Sequence, residues 1–230
     1  MRKPVSLTFT VMTVLFCVCL IVANLMEIKV VPLGGVTLTA GMIVFPISYI
    51  INDCLVEVYG FDKARFVIWL GFAMNLLVSI LLQIGLLLPG IEGWEGQAAM
   101  ETVFGAVPRI LAASFAAFLA GSMVNAWVMS RMKRRAEERG RGSFSLRAIV
   151  STLWGEGVDS LVFFPIAFAG VVDASTLVGL MVSQALLKTA YEVAVLPLTR
   201  IVVRRLKTIE AVTVSYTHLR APRLRCISYA

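Results

Sequence analysis

The sequence predicts an all-α integral membrane protein with six transmembrane helices, N- and C-termini cytoplasmic, and a short extended turn between helices one and two. Three observations carry this expectation. Of 230 residues, 59% are hydrophobic and only 15% charged, with mean hydropathy +0.87. Soluble domains run at about 45–50% apolar and about 25% charged. Uncharged runs extend from Pro4 to Met26, Phe66 to Ile91 and Ile110 to Ser130, each longer than the roughly 20 residues that cross a hydrocarbon core. The basic residues, finally, flank these runs on alternate sides.

Taken in order, helix one covers 5–27. Met1-Arg2-Lys3 before an apolar run would also suit a signal peptide, but the run exceeds an h-region of about 7–15 residues, so a retained helix is expected. Val30-Val-Pro-Leu-Gly-Gly-Val-Thr-Leu-Thr places Pro32, Gly34 and Gly35 between β-branched residues, the composition of a small turn or hairpin. Helices two and three follow at 39–59 and 64–88. The outer loop 89–107 holds Trp94 and the amphipathic stretch 98–104, read either as a short interfacial helix or as a disordered loop. Helix four spans 108–131, helix five 147–170 and helix six 175–204. The last two emerge only if Glu156, Asp159, Lys188 and Glu192 are accepted as interior charges. The run from Arg131 to Arg141 reads as a short basic loop.

Orientation follows from the loops. With the N-terminus inside, the cytoplasmic segments carry Arg2, Lys3, Lys63, Arg65, Arg131 to Arg147, Arg204, Arg205 and Lys207. The outer segments carry Lys29 and Arg109 beside Glu27, Glu92, Glu95, Glu101 and Asp173. The positive-inside rule therefore gives one answer. The net charge of +7 is spent on topology, and no nucleic-acid partner is expected. Cys17, Cys19, Cys54 and Cys226 show no ligand-like spacing and read as small hydrophobes. The single His218 excludes a histidine-rich metal site. Residues 213–230 break from the composition before them, and Ser215-Tyr-Thr-His-Leu-Arg-Ala resembles translated sequencing-adapter sequence. A non-native tail and a disordered basic one both remain open.

The candidate functional residues are ionisable groups that a chain merely sitting in lipid would shed. Asp53 and Glu57, Glu156 and Asp159, and Lys188 and Glu192 sit four, three and four residues apart, so each pair shares a helix face. Each costs about 2.5–3.5 kcal/mol to place at mid-helix even on the gentlest insertion scale. At 1.5 Å rise per residue, Asp159 falls roughly 18 Å into helix five and Lys188 roughly 20 Å into helix six. The bland readings are that Glu57 snorkels to the interface and that Lys188 is a counter-ion to a carboxylate such as Asp159. Asn24, Tyr49, Asn52, Asn75, Asn125, Gln184 and Tyr191 add neutral hydrogen-bonding groups at membrane depth. Five acids to one base argue against a phosphate ligand and for a planar heterocycle rich in N–H groups. Trp69, Trp154, Phe45, Phe163 and Phe164 are candidates to stack on it, or are packing filler. No HExxH, GxSxG or Walker A motif is present, so no enzyme and no cofactor is expected.

Phe45-Pro-Ile-Ser-Tyr-Ile-Ile-Asn-Asp-Cys-Leu-Val-Glu-Val-Tyr-Gly, Ile68-Trp-Leu-Gly-Phe-Ala-Met-Asn, Ser151-Thr-Leu-Trp-Gly-Glu-Gly-Val-Asp-Ser and Lys188-Thr-Ala-Tyr-Glu-Val-Ala-Val-Leu-Pro-Leu-Thr resemble the queuosine precursor transporter family, also called the vitamin uptake transporter family. The resemblance covers about residues 10–208. It implies a six-helix importer in the bacterial cell inner membrane, formed as one transporter domain over 1–212, that takes up 7-cyano-7-deazaguanine or a related 7-deazaguanine base. The substrate-binding set expected on this chain is Asp53, Glu57, Glu156, Asp159, Lys188, Glu192, Asn24, Tyr49, Asn75, Asn125 and Trp154. The partners implied are that base and the lipid bilayer, with homodimerisation open. Two rivals stay in view: a membrane substrate-binding subunit served by a separate ATPase module, and an intramembrane enzyme using paired carboxylates as acid and base.

Overall fold

The computed structural model describes residues 6–139 and 144–220, with the side chains of 144–148, 211–220 and a few scattered positions, Tyr49 among them, outside the description. Helix α1, Leu7–Met26, starts at Ser6, whose side chain accepts from the Phe9 amide. That satisfies one of the N–H groups orphaned at a helix start. The expected turn is an antiparallel hairpin of β1, Val30–Leu33, and β2, Val36–Thr39. Its two-residue connection has φ +57° at Gly34 and +83° at Gly35, which glycine alone adopts without strain.

The second expected helix is shorter than the sequence suggests. Residues Ala40–Ile43 form a 3-10 turn, α2 covers Phe45–Cys54, and Leu55–Tyr59 winds as a π turn that stops at Gly60, φ +86°. The α2 and π segments together rise only about 23 Å, short of the ~30 Å hydrocarbon core. Pro46 at the start of the helix suits its position, since the first turn needs no donor there. Helix α3, Phe61–Leu87, follows. In the segment after α3, α4, Gln97–Phe104, is helical, which sets aside the reading of it as a disordered loop.

Helix α5 is Val107–Arg139, α6 Phe144–Phe168 and α7 Ala174–Arg220. Two of these correct the sequence reading. The basic run after 131 stays helical through Arg139, and α7 continues beyond 204. Lys, Arg, Glu and Ala are good helix formers, so charge ends the apolar span without ending the helix. Arg109 closes the far end of α6, donating from Nε to the Ile166 carbonyl (2.6 Å) and from a terminal nitrogen to Ala169 (2.7 Å). Asp173 caps α7, accepting from the Thr176 amide at 2.9 Å and from the Ser175 and Thr176 hydroxyls. These donors hold its carboxyl well below the usual carboxylate range.

Four stretches among the described residues are long and apolar enough to cross a bilayer: Leu7–Met26, Phe61–Leu87, Gln97–Met132 and Ile149–Phe168. Only 28% of each is buried within the protein, leaving broad apolar faces for lipid. Packing is organised around two clusters. Ile51, Leu55, Ala64 and Val67 join α2, the π turn and α3, with Phe9, Met12 and Phe16 of α1 against them. Ile110, Ala117, Phe163, Phe164 and Leu180 join α5, α6 and α7. The polar groups collect between the two.

Candidate functional site

Helices α5 and α6 meet closely because both contribute a glycine at the crossing. A Cβ on Gly121 would lie 2.9 Å from the Gly155 carbonyl oxygen, and one on Gly155 would lie 2.9 Å from the Asn125 Cβ. Small residues are what allow such an approach between membrane helices. The crossing brings Asn125 beside the face of α6 that carries Glu156 and Asp159. From α7, Lys188 Nζ reaches Asp159 Oδ2 at 2.7 Å and Glu156 Oε2 at 3.6 Å. Its ammonium also sits 4.6 Å from the centroid of the Phe45 ring of α2, a cation–π contact. One lysine thus ties three helices together, and the counter-ion reading of Lys188 is what the geometry shows. One turn further along α7, Glu192 accepts from the Thr152 hydroxyl at 3.2 Å.

Two cavities share Glu156 and Asp159 of this cluster as a wall. The larger, about 560 Å³, is bordered by Asp53, Asn52, Asn125, Glu192 and Trp69 together with Glu156 and Asp159. The smaller, about 170 Å³, is bordered by Asn24, Glu27, Gln184 and Lys188, and again by Glu156 and Asp159. Its remaining surface is mostly aromatic, from Phe45, Phe72, Phe118, Phe163 and Phe164. A third space of about 530 Å³ opens between α2 and α7, where Glu57 pairs with Lys207 at 2.5 Å. Asp53 borders this mouth as well as the larger cavity.

Of the eleven residues expected from the sequence, Asp53, Asn125, Glu156, Asp159 and Glu192 border the larger cavity, and Asn24 and Lys188 the smaller. Glu57 stands apart at the mouth with an exposed side chain. Asn75 is buried on α3 but borders none of these spaces, and Trp154 is 60% exposed on the outside of α6. The side chain of Tyr49 lies outside the described residues.

Glu27 is the cavity residue that sequence reasoning missed. Grouped there with an outer loop, it is only 3% exposed. Its carboxylate is hydrogen-bonded to Thr39 at the end of β2, and the Thr39 oxygen accepts in turn from Gln184 Nε2 of α7. Gly41 makes room for it, since a Cβ there would fall 2.6 Å from Glu27 Oε1. The available signal was its position three residues after Asn24, on the same helical face.

Apolar spans surrounding an internal carboxylate–ammonium cluster and two adjoining cavities define a multi-pass membrane protein. Residues 39–202 match the family described as "Putative vitamin uptake transporter", and the chain belongs to that family. It is 32% identical over 176 residues to a "Probable queuosine precursor transporter" of Bacillus subtilis (strain 168), covering 76% of each chain. It is 31% identical over 150 residues to the "Queuosine precursor transporter" of Escherichia coli (strain K12), covering 65% of this chain and 63% of that one. A "Probable queuosine precursor transporter" of Haemophilus influenzae is 27% identical over 135 residues, covering 59% of this chain and 54% of the relative. No solved structure matches the chain.

Proposed function

We propose that this protein imports a queuosine precursor, 7-cyano-7-deazaguanine or a related 7-deazaguanine base, across the bacterial cytoplasmic membrane. The observation that carries the reading is the wall of Glu156 and Asp159, paired with Lys188 and held in common by two cavities inside an apolar helix bundle. Such a wall offers hydrogen-bonding groups to a solute in either compartment, and interior ionisable groups in a membrane protein are functional by default. The names of the relatives support the choice of substrate. In this reading residues 1–212 act as one unit that crosses the bilayer six times, with both termini cytoplasmic by the positive-inside rule. The short α2 completes its crossing through the 3-10 turn before it and the π turn after it. Asp53, Asn125, Glu156, Asp159 and Glu192 serve the base from the larger cavity, and Glu57 lies at the cytoplasmic mouth. No catalysis is assigned.

The test is uptake. In a bacterium unable to make queuosine, expression of this chain restores queuosine in tRNA from low external precursor. Verified membrane expression without restoration would defeat the substrate assignment. Liposomes carrying the purified protein accumulate or equilibrate the base without ATP. An absolute need for a co-purifying ATPase would make the chain a binding subunit instead of a carrier.

A further inference from the structure

We infer that the smaller cavity is where the base is read, and that Glu27, Asn24 and Gln184 recognise the donor–donor–acceptor edge of a 2-amino-oxo heterocycle of guanine type. This deepens the importer reading and rests on it. Each of the three side chains is at least nine-tenths buried, at 3%, 4% and 0% exposure. Each points a polar atom without a hydrogen-bond partner, Glu27 Oε2, Asn24 Nδ2 and Gln184 Oε1, and all three residues border the same 170 Å³ space. Buried polar atoms are almost always satisfied, so three left open around one cavity describe what is to fill it.

Their chemistry is specific. The Thr39 oxygen accepts from the Gln184 amide nitrogen, and the Thr39 hydroxyl is hydrogen-bonded to the Glu27 carboxyl group. That fixes the orientation of Gln184 and leaves its carbonyl oxygen as the open group. The cavity therefore presents two acceptor oxygens, from Glu27 and Gln184, and a single donor from Asn24. The complement is two donors and one acceptor, as found in a ring N–H, an exocyclic amine and a ring carbonyl side by side. Glu27 Oε2 and Gln184 Oε1 receive the two N–H groups, and Asn24 Nδ2 donates to the carbonyl. Aromatic walls from Phe45, Phe163 and Phe164 suit a flat ring.

The experiment measures binding to purified protein in lipid nanodiscs, using 7-cyano-7-deazaguanine, guanine, hypoxanthine and 2-aminopurine as probes. Wild type prefers guanine to hypoxanthine, which lacks the exocyclic amine, and to 2-aminopurine, which lacks the carbonyl and the ring N–H beside it. In Glu27→Gln the preference for guanine over hypoxanthine falls at least ten-fold, because an amide with one acceptor oxygen and an NH2 donor replaces the carboxyl group that faces the exocyclic amine. In Asn24→Ala the preference for guanine over 2-aminopurine falls similarly, which keeps the test standing if Glu27→Gln fails to fold. Unchanged preferences in both variants, or equal loss for all probes, would overturn the subsite while leaving the importer reading intact. Binding of guanine without 7-cyano-7-deazaguanine would overturn the queuosine assignment and keep the subsite. No binding of any probe by wild type would overturn both.

Discussion

Replacing Lys188 by methionine removes the ammonium and keeps most of the side-chain volume, leaving Asp159 and Glu156 without the cation they surround. The side chains of Lys188, Asp159 and Glu156 are 10%, 21% and 18% exposed, so water screens the loss only in part. Removing one partner of a buried pair costs about 3–5 kcal/mol. The residual access of the carboxylates places Lys188→Met near the lower end, about 3 kcal/mol or roughly a hundredfold in the folding equilibrium. Attraction falls inversely with distance, so at 2.7 against 3.6 Å Asp159 contributes about 1.3 times as much as Glu156. Asp159→Asn therefore forfeits somewhat more than half of the attraction and keeps the remainder, a loss of about 1.5–2 kcal/mol. In the double variant Lys188→Met with Asp159→Asn, only one carboxylate is stranded, and the combined loss falls short of the sum by about 1 kcal/mol or more. The assay is thermal unfolding of the purified protein in one detergent, run as a double-mutant cycle. Additive losses, or a Lys188→Met variant more stable than Asp159→Asn, would refute the account of Lys188 as the tie among α2, α6 and α7.

Three further outcomes are expected. Gly121→Ala sets a Cβ 2.9 Å from the Gly155 carbonyl oxygen and costs about 1–3 kcal/mol, while Gly157→Ala enters open space and gains about 0.5–1 kcal/mol of helix propensity; detergent melting temperatures compare the two. Lys207→Glu sets two acids together at the mouth between α2 and α7 and slows precursor uptake at low salt. The swap Lys207→Glu with Glu57→Lys restores it, and stability shifts by only ~0.2–1 kcal/mol because the pair is exposed. Asp173→Ala lowers the melting temperature by removing the α7 cap. Because the folded carboxyl is held low, its contribution is complete above the unfolded value of about 3.9 and fades as pH falls below it. The gap between wild type and Asp173→Ala is thus constant from neutral pH to about 5 and narrows in acid.

Much of the site was legible because charge in an apolar segment stands out against its background. The spacing of Glu156 and Asp159, and the reading of Lys188 as their counter-ion, match the observed 2.7 Å contact. The hairpin was legible from Gly34 and Gly35, which the turn requires at positive φ. What failed did so for reasons particular to a bilayer. Lipid solvates the outside of a helix as readily as protein solvates the inside, so apolar periodicity does not tell one face from another. Trp154 accordingly faces outward although its neighbours in sequence border a cavity. Hydropathy is also blind to winding: residues 40–43 are as apolar as a span yet form a 3-10 turn. Glu27 was hidden by adjacency, since a carboxylate at the end of an apolar run reads as a loop residue until β2 folds over it and brings Thr39 within reach.

The four tryptophans bear on how ligand entry can be watched. Trp69, Trp94, Trp127 and Trp154 are 51%, 45%, 60% and 60% exposed, and only Trp69 borders either of the two inner cavities. Intrinsic emission is consequently dominated by indoles in contact with the surrounding detergent or lipid. On the import reading a base first held in the smaller cavity, walled by phenylalanine, leaves the emission unchanged, and its passage into the larger one beside Trp69 quenches one fluorophore in four until release. Two compartments that share the same carboxylates are in this way optically distinct, and a transient dip in emission times the transfer between them.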